Sequence, residues 1–378
     1  MNVDVICLSH LRWNFVFQRP NHLMSRFARV GGVHFVEEPV GGNATELRVT
    51  ESDGVRVVTP HVRAGVSAEE TGVAQRALLD RYLSEEGIED YALWFYTPMA
   101  LAFTRHLAPR AVVYDCMDEL SGFHGASPLL HEHEAELFRR ADVVFTGGQS
   151  LYEAKRLQHP NVHAFPSSVD TEHFRHARVR GVDPEDQAAI GRPRVGFFGV
   201  IDERLDLDLV EGVARLRRDL EFVLVGPVAK IDPGRLPRGP NLHYLGFRPY
   251  AALPRYIAGW DVAMMPFARN AATRFISPTK TLEYMAAGKP IVSTAIRDVV
   301  RPYGEQGLLQ IADAPASFGA AIDAALREDA APRIGAFDAY LAGTSWDRTW
   351  SRMKALLDGA MGARATSEAR RRVRAEAG

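Results

Sequence analysis

The chain has 378 residues, 46% of them hydrophobic and 24% charged, with a formal net charge of −2. That length suits two or three domains with sizeable cores, and the near-neutral charge excludes a global field for nucleic acid or anionic lipid. The two cysteines, Cys7 and Cys116, lie far apart in apolar runs, which excludes a disulfide framework and fits a reducing, cytoplasmic setting.

The opening MNVDVICLSHLRW lacks the basic start and cleavage site of a secretory leader, and no apolar run reaches membrane-spanning length. Residues 3–8 form the continuous apolar run of a buried parallel strand. A loop over 9–19 follows, then a helix from Pro20 to about residue 30. Ligands of open α/β sheets bind beyond the carboxyl ends of strands, so His10, Arg12, Trp13 and Arg19 become candidates. The two arginines are read as anion contacts at a cleft. Trp13 either packs with Phe15 and Phe17 or stacks on a substrate. The whole segment SHLRWNFVFQRPNHLMSRFA resembles the opening of bacterial polysaccharide-type glycosyltransferases, which implies an acceptor-binding side.

Strands are then predicted at 33–37, 55–59, 93–96, 111–115 and 142–146, with helices at 69–86, 98–107, 129–140 and 148–158. This alternation calls for a parallel sheet between helical layers. Residues 43–54 read as a polar surface loop. After the fourth strand come three acids, Asp115, Asp118 and Glu119, and a loop GFHGASP. In the resembling family this position contacts the transferred sugar or the acceptor, which makes Asp118 the first candidate and His124 the second. A local cap or a bond to loop amides serves equally well for Asp118. His131 and His133 point apart on a helix and have no third partner at zinc spacing. SVDTEHF, residues 168–174, resembles the family's hinge segment, and 175–193 reads as a surface linker.

The second half restarts the α/β pattern with RVGFFG, a buried strand running into Gly199, where backbone would approach a ligand closely. A helix is expected from about Leu205. The resembling family carries an Arg and a Lys near this turn to neutralise a diphosphate. Here Val200 takes the Arg position and Arg204 stands close to the Lys position. The spacing Gly-x-x-Gly at 196–199 is not a dinucleotide fingerprint. Asp206-Leu207-Asp208 spells a metal-binding Asp-x-Asp, but on a helix the two carboxylates diverge, and no metal is expected. Further strands are predicted at 222–226, 242–245 and 261–266. In the resembling enzymes the base is held in this neighbourhood, where Arg248 would stack on or bond it; a surface arginine serves equally well.

The stretch FISPTKTLEYMAAGKPIVST, residues 275–294, reads as loop, helix, turn and buried strand. Ser277 is the predicted N-cap with Pro278 at the first helical position, and Gly288 and Pro290 end the helix. Thr279 and Lys280 fall in the first turn, where acids are usual. Lysine suits that place when an anion lies between its ammonium and the free backbone N–H groups. Glu283 follows on the same face and would offer its carboxylate to a diol. An ordinary exposed Lys280–Glu283 pair is the plain alternative. The segment resembles the donor-site signature of GT-B glycosyltransferases of the family-4-like retaining branch, in which a Glu matching Glu283 holds the ribose of a nucleotide sugar. A second Glu common in the family is replaced by Phe275.

After a polar loop at 295–307, a strand at 308–311 and helices at 314–327 and 331–342, residues 345–358 form an amphipathic helix carrying Trp346, Trp350, Met353 and Leu357. The Arg-rich residues 363–378 are expected to be a disordered tail with weak attraction to an anionic membrane.

The resemblance implies an α/β chain of GT-B fold, with two Rossmann-like domains facing a cleft. The expected division is 1–175 for the acceptor, 194–344 for the nucleotide sugar, and a crossing-back helix at 345–362. The implied activity is transfer of a sugar from a nucleotide-diphosphate sugar to a hydroxyl acceptor in polysaccharide biosynthesis, retaining and without metal or other cofactor. Asp118, Arg204 and Lys280 would act in catalysis. Gly199, Arg204, Arg248, Ser277, Thr279, Lys280 and Glu283 would bind the donor; His10, Arg12, Trp13, Arg19 and His124 would face the acceptor. A nucleotide-sugar epimerase or hydrolase and a non-catalytic nucleotide-binding module are the alternatives.

Overall fold

Continuous apolar runs become the inner strands of two sheets, because only a strand covered on both faces buries every successive residue. The chain is described, in a computed structural model, for residues 3–179 and 181–376, with side chains as far as residue 366. The first sheet has nine strands: β1 (Asp4–Leu8), β2 (Val33–Val36), β3 (Val40–Gly42), β4 (Glu46–Ser52), β5 (Val55–Arg63), β6 (Tyr91–Phe95), β7 (Ala111–Cys116), β8 (Val143–Thr146) and β9 (Val162–Ala164). β1 pairs in parallel with β2 and β6, setting Cys7 opposite Phe35 and Trp94. β7, β8 and β9 extend the sheet in parallel beyond β6. Both cysteines are free and buried. Helix α1 (Arg19–Phe27) follows the loop after β1 and buries Leu23, Met24 and Phe27 against this sheet.

One expectation fails here. Residues 43–54 are not a loop: β4 runs antiparallel to β5 across a turn at Asp53 and Gly54, whose φ angles are 53° and 75°. Most of β4 is exposed, so it carries no apolar signal, and only the Asp-Gly pair announced the hairpin.

The second sheet holds β10 (Arg194–Phe198), β11 (Glu221–Val225), β12 (Leu242–Gly246), β13 (Val262–Met265), β14 (Ile291–Ser293) and β15 (Gln310–Ile311), all parallel, in the order β12-β11-β10-β13-β14-β15. Alternate residues serve opposite layers. Leu224, Met264 and Val292 pack under α2 (Leu207–Leu216), while Val223, Val225, Ala263 and Met265 pack with residues of α3 (Thr279–Ala286). The linker expected at 175–193 is partly built into this domain. Gln187 is fully buried, donates to the Tyr256 carbonyl and accepts from Trp260 Nε1. Polar composition hid it, since buried amides satisfied by hydrogen bonds look the same in sequence as solvated ones.

The last helix, α4 (Trp346–Glu376), lies across the first domain. Trp346, Met353 and Leu357 are buried among Cys7, Trp94 and Phe145, and Trp346 stacks on His22 of α1 with ring centroids 4.5 Å apart. Each such side chain contributes about 1.5–3 kcal/mol on burial, which ties the chain end to the first domain. Residues 363–376, expected as a disordered tail, continue this helix instead; Ala377 and Gly378 lie outside the described residues. The arginine-rich composition suggested solvation, yet Arg and Ala are good helix formers once a packed helix precedes them. The loop expected at 295–307 also contains helical turns, and Asp298 at their start accepts the backbone N–H of Ser150 across the domain boundary at 3.0 and 3.2 Å. Among the described residues no helix is long and apolar enough to cross a membrane.

Candidate functional site

The carboxyl ends of β10 and β11 meet α3 through glycine. Gly199 and Gly226 have φ of 136° and 151°, and a Cβ on Gly226 would stand 1.9 Å from the Gly199 carbonyl oxygen. A Cβ on Gly199 would stand 2.4 Å from Lys280 Cε, so the bare backbone is what lets this lysine lie across the strand ends.

The α3 terminus differs from the expected cap. Pro278, not Ser277, is the residue at the cap, and no side chain accepts from the first turn. Ser277 is engaged in the domain contact instead: its carbonyl accepts from Ser167 Oγ at 3.2 Å, and Thr279 Oγ1 donates to Ser167 Oγ at 3.3 Å. The start of α3 therefore keeps its dipole open towards the space between the domains.

That space is a cavity of about 360 Å³ whose walls include Trp13, Arg19, Asp118, Gly199, Arg204, Arg248, Ser277, Thr279, Lys280 and Glu283. Lys280 Nζ sits 5.5 and 5.7 Å from the ring centroids of Phe197 and Phe198. Burial lowers its pKa to about 8, against the pull of Glu283. Burial raises buried Glu283 to about 7, with Lys280 opposing the rise. Glu283 is buried, and Lys280 is half-buried on the cavity wall. Arg204 is bound through Nε (2.9 Å) and Nη2 (2.6 Å) to the two carboxylate oxygens of Asp202, and lies 5.7 Å from the Phe123 ring centroid. Burial also raises Asp118 to about 6, opposed by Arg204 and Arg19.

Several candidates are occupied elsewhere. Arg19, expected to contact an anion, is buried in a two-pronged pair with Asp115 at 3.0 and 2.8 Å and donates to the Phe165 carbonyl at 2.6 Å. Arg12 is off the cavity wall, bound to Glu37 at 3.0 Å and to the carbonyls of Glu38 and Pro39. An arginine whose donors and charge are already matched has little left for a substrate anion. His10 is also off the wall; burial and then Lys230 lower its pKa to about 4, so it is neutral near pH 7. His124 is exposed, and its backbone N–H donates to the Glu203 carboxylate at 3.0 Å. Trp13 is buried edge-on against Phe35, with its backbone N–H given to Glu37, and only borders the cavity. Arg248 lies on the rim, held by Asp186 and by the Tyr256 hydroxyl at 2.6 Å.

Other residues of the site escaped the sequence reading. Asp202, which orients Arg204, stands two residues before it, and that spacing was the available signal. Tyr250 stacks with Phe17 at 4.5 Å and with His173 at 4.3 Å, closing one end of the cleft from both domains. Asp206 is the N-cap of α2, accepting from Leu209 N at 2.8 Å. Among the described residues no group of three or more His, Cys, Asp or Glu is arranged to hold a metal ion, the stretch around His131 and His133 included.

Comparison with known proteins places the fold and part of the sequence. Residues 192–328 match the family model for glycosyl transferases group 1. A Bacillus subtilis (strain 168) protein named as a teichuronic acid biosynthesis glycosyltransferase, TuaH, is 28% identical over 224 residues, 54% of this chain and 56% of its own length. The match thus spans about half of that relative. Among solved structures, sucrose-phosphate synthase from Thermosynechococcus elongatus superposes with a TM-score of 0.70 at 13% identity, covering 96% of this chain and 100% of that one. An α,α-trehalose-phosphate synthase (UDP-forming) from Burkholderia vietnamiensis gives 0.67 at 16% identity over 95% and 100%. Anabaena HepE, in complex with UDP and glucose, gives 0.63 at 14% identity over 94% and 100%. At such identities the likeness is one of fold. The chain has the GT-B fold, two Rossmann-like domains about a cleft, and its residues 192–328 are similar to the group 1 glycosyl transferases.

Proposed function

We propose that the protein transfers a glycosyl group from a nucleotide-diphosphate sugar, UDP-linked by analogy with the ligands of its structural neighbours, to a hydroxyl of a growing polysaccharide. The observation that carries this is the convergence of Lys280, Arg204 and the open start of α3 on one wall of the interdomain cavity, with Glu283 one turn further on. The two cations and the helix dipole would hold the diphosphate and stabilise the charge that grows as it leaves. Glu283 would accept hydrogen bonds from the ribose diol and so set the anomeric carbon towards the first domain.

Lys280 and the helix end bring positive charge to one wall, with Arg204 beside them sharing its charge with Asp202, and this supports a metal-independent transfer. Retention of configuration follows the family-4-like signature; the departing phosphate would then accept the acceptor proton. Asp118 supports a second reading: with its pKa raised to about 6 it is mostly ionised at neutral pH and would serve as the base of an inverting reaction. The reaction is assigned to the cytoplasm, with α4 offering weak contact to an anionic membrane.

The test is nucleoside diphosphate binding followed by donor turnover. Glu283→Ala should weaken UDP by about 1.5–3 kcal/mol, roughly 10- to 150-fold, the range of a hydrogen bond to a charged group. Equal affinity of variant and wild type would remove Glu283 from the site. Sugar release without acceptor at the full transfer rate would point to a hydrolase. Nucleotide binding with no consumption of any donor would point to a non-catalytic module.

A further inference from the structure

A second cavity, of about 250 Å³, lies on the other side of Ser167. Its walls are the two crossings between the domains, residues 164–168 and 343–345, together with the first turns of α4. Arg348 and Arg352 stand one turn apart on α4 and both line it, with the hydroxyls of Thr344, Ser345 and Thr349 beside them. Among the described residues neither guanidinium pairs with a carboxylate; Arg352 lies 5.1 Å from the Phe165 ring centroid. Ser168, also on the wall, is 1% exposed, and its Oγ has no hydrogen-bond partner among the described residues.

A buried hydroxyl without a partner is costly, and the exposed guanidinium groups of Arg348 and Arg352, on the wall of the same cavity, offer donors to an anion that enters it. A phosphate group answers both, since its oxygens accept from Arg forks and from hydroxyls together. The volume is smaller than that of the main cavity, which suits a small phosphorylated molecule better than a nucleotide. Ser167 belongs to both walls, and its Oγ links the Ser277 carbonyl and Thr279 hydroxyl at the start of α3.

We propose that this hinge cavity, built from Arg348, Arg352 and Ser168, binds a phosphate group, inorganic or carried by a small sugar, and that its occupancy changes nucleotide affinity at the start of α3 through Ser167. The second clause rests on the reading of the main cavity as the nucleotide site. A ligand spanning both crossings would favour one domain arrangement, and a shift of that equilibrium is felt equally by both ligands.

Calorimetric titration of the full chain with inorganic phosphate and with glucose 1-phosphate tests the site. Binding should weaken at least tenfold in the double variant Arg348→Gln/Arg352→Gln and in Ser168→Val, with UDP affinity of the phosphate-free double variant unchanged. Tighter binding of glucose 1-phosphate than of phosphate would identify a sugar phosphate; equal binding would identify phosphate itself. In wild type, saturating probe should shift the Kd for UDP severalfold, and in the double variant it should not. Failure of both probes to bind wild type, equal binding to the double variant, or simple displacement by UDP would overturn the proposal. The probe titration needs no nucleotide, so failure of UDP to bind would count against the transferase reading alone.

Discussion

Replacing Lys280 with methionine separates charge from packing at the centre of the site. Methionine keeps an apolar chain of similar length against Phe197 and Phe198 and removes the ammonium. Lys280 makes no ion pair with Glu283 but is its nearby opposite charge, and losing such a charge is costly to a buried carboxylate when the survivor stays charged. Here the survivor need not: Glu283 already has its pKa raised to about 7, so about half its population is neutral at pH 7 before the substitution. Without Lys280 the carboxyl takes up a proton and the folded state changes by about 1 kcal/mol or less. Catalysis has no such escape. A positioned group that stabilises developing charge contributes about 3–4 kcal/mol, so kcat should fall roughly 10²- to 10³-fold. UDP release from a consumed UDP-sugar with its acceptor, followed beside a thermal melt, measures both. A kcat within about threefold of wild type, with an unchanged melt, would refute the role given to Lys280.

Three further outcomes are expected. Glu283 has a folded pKa of about 7 against 4.5 unfolded, so its proton is retained on folding and stability should fall as pH rises from about 4.5 to 7. Lys280, lowered from 10.5 to about 8, makes stability rise between those values; Tm measured against pH should show a shallower acid-side slope in Glu283→Gln. Arg19→Met strands the fully buried Asp115 and should cost about 3–5 kcal/mol by denaturant melt, most of it recovered when Asp115→Asn is added. Trp346→Ala removes the stack on His22 and should cost about 3–5 kcal/mol in the same assay.

Much of the candidate site was legible because its elements are local. The buried strand ending in Gly199, the lysine in the first turn of α3 and the acid one turn later are set by short-range sequence, and their side chains need only a cleft to face. Arg12 and Arg19 show the limit. Their composition and their place after a strand matched an anion site, yet acceptors 25 and 96 residues away in sequence took their donors.

The apolar runs alone determined two stacks of parallel strands with helices between them, and the signature around Lys280 supplied the place proposed for a phosphate. Which arginines are already matched was decided only by the tertiary fold, as Arg12 and Arg19 show inside the first domain. A guanidinium is matched by whatever carboxylate or carbonyl folding brings close, and for Arg12 and Arg19 that partner is distant in sequence. The same holds for Gln187, Asp298 and Ser167, polar residues whose place in the interior or at the domain boundary depends on partners that no local pattern encodes.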